Sequence, residues 1–360
     1  MAEFIPEDVI VKVLERLPIK SLIRFTCVSK RWRFIILSDP QFAKTHYKVS
    51  CEHQTIRHRL LFNSPDKFGF DSLDSESPLS FGDNSCVRKV RIPFLKPGDI
   101  LSMPRSCNGL VCAAVIVSLS PKILYHWYIW NPSTGFFKKL PDPSMNIVYL
   151  QYYGIGYLSA TDDYKILKPR EIFSSRANVW KTIEFPNLDE LYLSSEGIRS
   201  NEALHWFHAG NADIVAFDLS IEEFRSMPLP TTFEHGCFIH LAASVGGCLC
   251  AFDLQNVKAS GSIYMWVMRE YGVADSWTKL FNFKVSSQPE DIRIWGPIFL
   301  GDTSIIFEFQ IAIKEIDGGR IRMNDFKLIR SVHENAEKLE TCASREFMIA
   351  YEETLLWLND

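Results

Sequence analysis

The stretch LPIKSLIRFTCVSKRWRFII, residues 17–36, sets apolar side chains at helical spacing among Lys and Arg. It is too short to enclose a core and too charged to cross a membrane. Ile19, Leu22, Ile23 and Phe25 form one apolar group behind Pro18. Ser29 is placed to cap a further helix carrying Trp32, Ile35 and Ile36, which Pro40 ends. Upstream, Ile10, Val13, Leu14 and Leu17 recur at intervals of three and four, with Pro6 tolerated in a first helical turn and Glu7 and Asp8 suited to its positive end. Residues 1–46 therefore predict three short helices. Helices of about ten residues take most of their stability from packing, so this segment needs a covering surface, from its own chain or from another protein. Residues 1–50 hold nine Lys or Arg against five Asp or Glu, a balance of +4; the whole chain carries -4, which leaves -8 for the remainder. A basic module on an acidic body suits an acidic partner.

The order Ile5-Pro6-Glu7-Asp8, Leu17-Pro18, Leu22, Phe25, Cys27-Val28-Ser29-Lys30, Trp32, Ile36, Pro40 and Phe42 resembles an F-box, the motif by which substrate receptors of SCF ubiquitin ligases dock on a Skp-type adaptor. The resemblance implies adaptor-facing positions at Pro6, Ile10, Leu14, Leu17, Pro18, Leu22, Val28 and Trp32, with Phe25 and Ile36 holding the helices together. It also implies a cullin scaffold and RING subunit reached through the adaptor, and a client protein that nothing in the sequence names.

Beyond a linker at 47–58 the period changes from 3.6 to 2. Phe307, Phe309, Ile311 and Ile313 alternate with Glu308, Gln310, Ala312 and Lys314, and Asp317-Gly318-Gly319 then supplies a hairpin turn. Asn131-Pro132-Ser133-Thr134-Gly135, between YHWYIW and FFKKL, is a second turn. Hydrophobic-Pro pairs at Ile92-Pro93, Leu140-Pro141, Phe185-Pro186 and Leu229-Pro230 fall 48, 45 and 44 residues apart. A unit near 45 residues with four short strands is the size of a propeller blade. The expected fold is thus α+β and multidomain: a three-helix head, then an all-β propeller-like domain of about six blades over 59–360, with FMIAYEETLLWL available as a closing strand. Cys107-Asn108-Gly109-Leu110, Ile129 to Gly135, Asp162-Asp163-Tyr164-Lys165, Phe217-Asp218-Leu219 and MWVMREYGVADSWTKLF at 265–281 resemble the F-box-associated, kelch-like domain of plant F-box proteins.

Catalytic signatures are missing from the sequence: there is no Gly-x-Ser-x-Gly elbow, phosphate loop, dinucleotide fingerprint or His-Glu-x-x-His helix. Cys248 and Cys250 alternate along a strand, His205 and His208 point to opposite faces, and Asp162 and Asp163 suit a turn, so neither a metal, a cofactor nor a catalytic residue is expected. Net charge argues against nucleic acid. The N-terminus lacks a signal-peptide pattern, the longest apolar run, Leu110 to Val117, is far short of a membrane span, and nine scattered cysteines suit reduced thiols, so the cytoplasm or nucleus is the expected location and no membrane partner is expected. The expected function is substrate recognition for an SCF-type E3 ligase without catalysis of its own. The alternatives are a pollen self-incompatibility F-box protein recognising style ribonucleases, a propeller-based enzyme and a glycan-binding receptor. Client contacts are expected in 65–86, 170–178, 231–240 and 253–262.

Overall fold

The computed structural model describes residues 5–63, 70–74, 87–118, 124–144, 153–184, 197–208, 210, 213–230, 233, 239–243, 246–253, 262–284, 292–300, 305–313, 322–331, 339–341 and 348–358. Its head has four helices where three were expected: α1 (Glu7–Leu14), α2 (Ile19–Phe25), α3 (Lys30–Ser38) and α4 (Pro40–Glu52). Pro6 and Pro18 stand at the N-caps of α1 and α2, and neither can continue a preceding helix. Ser29 caps α3 as expected, its Oγ accepting from Trp32 N at 3.0 Å. Pro40 does not simply end α3. Asp39 accepts from Gln41 N at 2.9 Å and from Phe42 N at 3.3 Å, and Pro40 occupies the first turn of α4, where its missing N–H costs nothing. The segment 47–58, expected as a linker, is helical up to Glu52.

Leu14, Ile19, Leu22, Ile35, Ile36, Phe42 and Ala43 fill the core of the head. Each of the larger side chains contributes about 1.5–3 kcal/mol when fully buried, which offsets the weak intrinsic stability of such short helices. His46 closes this core from α4, its Nε2 donating to Leu17 O at 2.8 Å. Burial holds the His46 pKa below its ordinary value, against the effect of that hydrogen bond, so the ring packs neutral.

Among the described residues the strands form six four-stranded sheets. The first contains His58–Asn63, Phe70–Asp74 and Val87–Val90 and is completed by Met348–Glu352 beside His58–Asn63; the second runs through Ile100–Cys107, Leu110–Ser118, Leu124–Trp130 and Phe137–Lys139. Gly154–Leu158, Asp163–Lys168, Glu171–Ser174 and Val179–Thr182 make the third, and Ile198–Ser200, Ala203–His208, Asp213–Asp218 and Glu223–Met227 the fourth. The fifth has Ile239–Ala243, Leu249–Asp253, Ser262–Met268 and Trp277–Lys284, the sixth Ile292–Leu300, Ile305–Ile313, Arg322–Ser331 and Leu339–Thr341. In five of these sheets all four strands come from one stretch of chain; the first takes Met348–Glu352 from the far end of the sequence. The turn at Asp317-Gly318-Gly319 lies outside the described residues, while the strands on either side pair with Ile313 opposite Arg322.

The chain divides into two units. One holds the head, the first two sheets and residues 349–360; the other holds residues 143–348 with 78–84. In the second unit, Phe207, Ile214, Leu241, Leu249 and Trp277 belong to one apolar cluster that spans the fourth and fifth sheets. Trp277 Nε1, deep in that layer, donates to Pro228 O at 3.1 Å, so the indole is buried with its polar group satisfied.

Candidate functional site

The head keeps apolar side chains on its outside although its own core is full. Ile5 is 61% exposed, Val13 54%, Val28 59% and Phe34 51%, and Val9 is exposed as well. On α1, Ile10 and Leu14 form one stripe directed inward, and Val9 and Val13, also four apart, form a second stripe turned about 100° from it. One face serves the fold and the other is open to a partner. Of the positions expected to face an adaptor, Pro6, Pro18 and Val28 are exposed, and Ile10, Leu17 and Trp32 are half-buried. Leu14 and Leu22 are elsewhere: at 1% and 0% exposure they are committed to the helical core and cannot touch a partner in this conformation. Ile36 is buried, as its expected role in holding the helices requires, and Phe25 meets Trp32 edge-on with ring centroids 5.7 Å apart.

The second stripe was not singled out from the sequence. The signal was present in EDVIVKVL, which has more apolar residues than one helical face can bury, and in the unbroken Phe34-Ile35-Ile36, of which a helix turns only part inward.

Charge frames the exposed apolar surface. Lys12, Arg16, Lys20, Arg24, Lys30 and Arg33 are all exposed. Arg31 is engaged within the head: its guanidinium donates to Glu7 Oε1 and lies over the Phe34 ring at 5.6 Å. The hydrogen bond from Arg31 holds the Glu7 carboxyl below its usual range and, reciprocally, raises Arg31. This pair links the start of α1 to α3 at the edge of the exposed apolar surface.

The polar residues of the body singled out in the sequence have local partners. His205 is fully buried; its Nδ1 donates to Ile198 O at 3.0 Å, and its Nε2 accepts from Tyr271 Oη at 2.7 Å, while Arg225 donates to the same phenol at 3.1 Å. His208 pairs instead with Asp213 Oδ1 at 2.9 Å, so the two histidines share no site. Asp162 lies in the expected turn and accepts from Tyr157 Oη at 2.8 Å, whereas Asp163 is already the first residue of a strand, buried, and accepts from Ser174 Oγ, Ser175 Oγ and Arg176 N at 2.7, 3.0 and 2.9 Å. Cys248 is exposed and Cys250 buried, but not through strand alternation, which puts residues two apart on one face: Cys248 precedes the strand that begins at Leu249, and Cys250 lies within it. Among the described residues no group of three or more His, Cys, Asp or Glu is placed to hold a metal ion, and no helix is long and apolar enough to cross a membrane.

A small helical head with a filled core and an uncovered apolar surface, carried on an all-β body, has the build of a modular interaction protein. Residues 4–44 match the F-box domain and residues 59–295 the F-box associated beta propeller domain. The chain belongs to the F-box proteins with an F-box-associated β-propeller. It is 30% identical over 343 residues to F-box protein CPR1 of Arabidopsis thaliana, with 82% of this chain and 76% of that one covered. An F-box/kelch-repeat protein of the same plant is 26% identical over 343 residues, with 88% and 89% covered. A solved structure of an inactive virginiamycin B lyase from Staphylococcus aureus aligns at a TM-score of 0.40 and 10% identity over 76% of this chain and 92% of that one, too distant to inform fold or function.

Proposed function

We propose that this protein is the substrate-recognition subunit of an SCF-type E3 ubiquitin ligase and performs no bond chemistry itself. The observation that carries the reading is the second apolar stripe of the head, Val9 and Val13 with Ile5, Val28 and Phe34, left uncovered by a core that is already complete. Covering it with an adaptor's helices removes apolar area from water, and the surrounding Lys and Arg stems lie along the rim, where acidic adaptor residues steer association more than they deepen affinity. The adaptor brings the cullin scaffold and RING subunit, and the propeller holds a client protein. A client lysine kept beside the ubiquitin-charged conjugating enzyme reacts as if intramolecularly. Such a subunit works in the cytoplasm or nucleus.

Client contacts belong to loops carried on the rigid sheets. Of the candidate segments, 170–178 is described and comprises the strand Glu171–Ser174 with the turn at 175–178 that leads into Val179–Thr182; 65–86, 231–240 and 253–262 fall largely outside the described residues. Replacing Leu17 and Pro18 together by alanine is expected to abolish co-purification of the adaptor while the propeller stays folded. Undiminished recovery of the adaptor by that variant refutes the assignment.

A further inference from the structure

The residues after the last strand do more than complete the first sheet. Glu353 donates its backbone N–H to Arg57 O at 2.8 Å, and its carboxylate lies 3.7 Å from both Arg59 and Arg88. Thr354 is 1% exposed and Leu355 likewise, and the Thr354 hydroxyl donates to Asn108 O at 3.3 Å. Asn131, the first residue of the Asn-Pro-Ser-Thr-Gly turn, is buried and donates from Nδ2 to Thr354 O at 2.9 Å and to Leu356 O at 2.8 Å. Gly109 leaves the room for this path: a Cβ there would lie 2.4 Å from Thr354 Oγ1 and 2.5 Å from Glu352 O. Two turns of the second sheet, at Asn108-Gly109 and Asn131–Gly135, therefore clasp the same downstream segment. At its other end that segment meets the head, where Tyr47 Oη on α4 donates to Glu352 Oε2 at 3.0 Å.

We propose that residues 348–358 form a strap that fixes the F-box to the propeller, with Tyr47 and Glu352 as the clasp on the head and Asn131 with Thr354 as the clasp on the body. Only residues 53–57 join α4 to the first strand, with Gln54 at a left-handed φ of 53° where the chain turns away from the helix. The charge-assisted hydrogen bond to Glu352 ties α4 to the last strand at a second point, and two points of attachment set an angle that one short connection leaves free. In the receptor reading, that angle sets how far a client lysine stands from the ubiquitin donor, and Tyr47 and Glu352 are positioning residues; this consequence rests on that reading, whereas the strap does not.

The test uses the full chain with Tyr47→Phe, Glu352→Gln and the double variant, reading amide exchange in α4 and protease cleavage within 53–57. Loss of one such hydrogen bond predicts about tenfold faster exchange in the last turn of α4 and faster cleavage, with the double variant no faster than either single one and exchange in Leu110–Ser118 unchanged. Asn131→Ala is expected to accelerate exchange at 353–357 and, through the strap, in the same turn of α4. Unchanged exchange and cleavage in α4 and 53–57 across all these variants overturns the strap. Adaptor capture by the same samples separates the two proposals: wild-type chain that captures no Skp-type adaptor overturns the receptor reading and leaves the strap standing.

Discussion

Gly109 and Gly135 both hold a left-handed φ, 77° and 82°, and both sit in turns of the second sheet. They differ in what surrounds them. A Cβ at Gly109 collides with Thr354 and the Glu352 carbonyl, whereas nothing lies within 4 Å of one at Gly135. Gly109→Ala is therefore expected to cost about 2–4 kcal/mol, from overpacking added to backbone strain, and Gly135→Ala only the strain, about 1–2 kcal/mol. Calorimetric unfolding of the two variants checks the difference; equal losses would mean that the tail does not pack against Gly109. The turn at Asn-Pro-Ser-Thr-Gly was legible as a turn, whereas Cys107-Asn108-Gly109-Leu110 stood out only as part of a family resemblance. The second role of these turns was not legible, because Asn131 and Thr354 are 223 residues apart and no local pattern records a contact at that separation.

The helices show how one residue type can carry two messages. Pro40 reads as a terminator, and α3 does stop at Ser38, but the Asp39-Pro40 pair is equally a start, since Asp caps and Pro suits the first turn. The missed fourth helix follows from weighing only the first meaning. Asp39→Ala is expected to destabilise the head by about 1 kcal/mol, visible as faster amide exchange at Gln41 and Phe42 with little change in the sheets. Exchange at those amides as slow as in the wild type would show that packing of Phe42 and Ala43, not the cap, holds the start of α4. The inward stripe of α1 was legible from its spacing. The outward one was masked by sharing the same eight residues, and only burial separates Val13 from Leu14.

Across the whole molecule, the breaks in the all-β region were legible because the hydrophobic-Pro pairs mark chain leaving a sheet: Leu140-Pro141 follows Phe137–Lys139, and Leu229-Pro230 follows Glu223–Met227. That Met348–Glu352 joins the first sheet was legible only as an available strand, since its partner lies at the other end of the chain. Stability should depend on pH through buried imidazoles. Burial, opposed by the hydrogen bond to Ile198 and reinforced by the charge of Arg225, pushes His205 down to about 4; burial alone pushes His240 to about 4 and also lowers His46. An unfolded imidazole titrates near about 6.5, so below that pH the unfolded chain binds protons that the folded chain refuses. Stability is thus expected to fall between about pH 6.5 and 4, by at most about 1.4 kcal/mol per pH unit for each such histidine. Thermal midpoints from pH 7.5 to 5 check this, with a shallower slope expected for His205→Gln; a flat profile would show that the rings are solvated.

The central claim is that the outer apolar face of the head is an adaptor-docking surface, and it is tested most directly by measuring binding of a purified Skp-type adaptor to the full chain and to Val13→Asp/Val28→Asp. Both substitutions are at exposed positions, so the variant should keep the wild-type thermal midpoint while its affinity for the adaptor drops at least about a hundredfold, the loss of about 3 kcal/mol expected when two apolar anchors become charges in a desolvated interface. Adaptor binding of wild-type strength by a folded Val13→Asp/Val28→Asp protein would contradict the account.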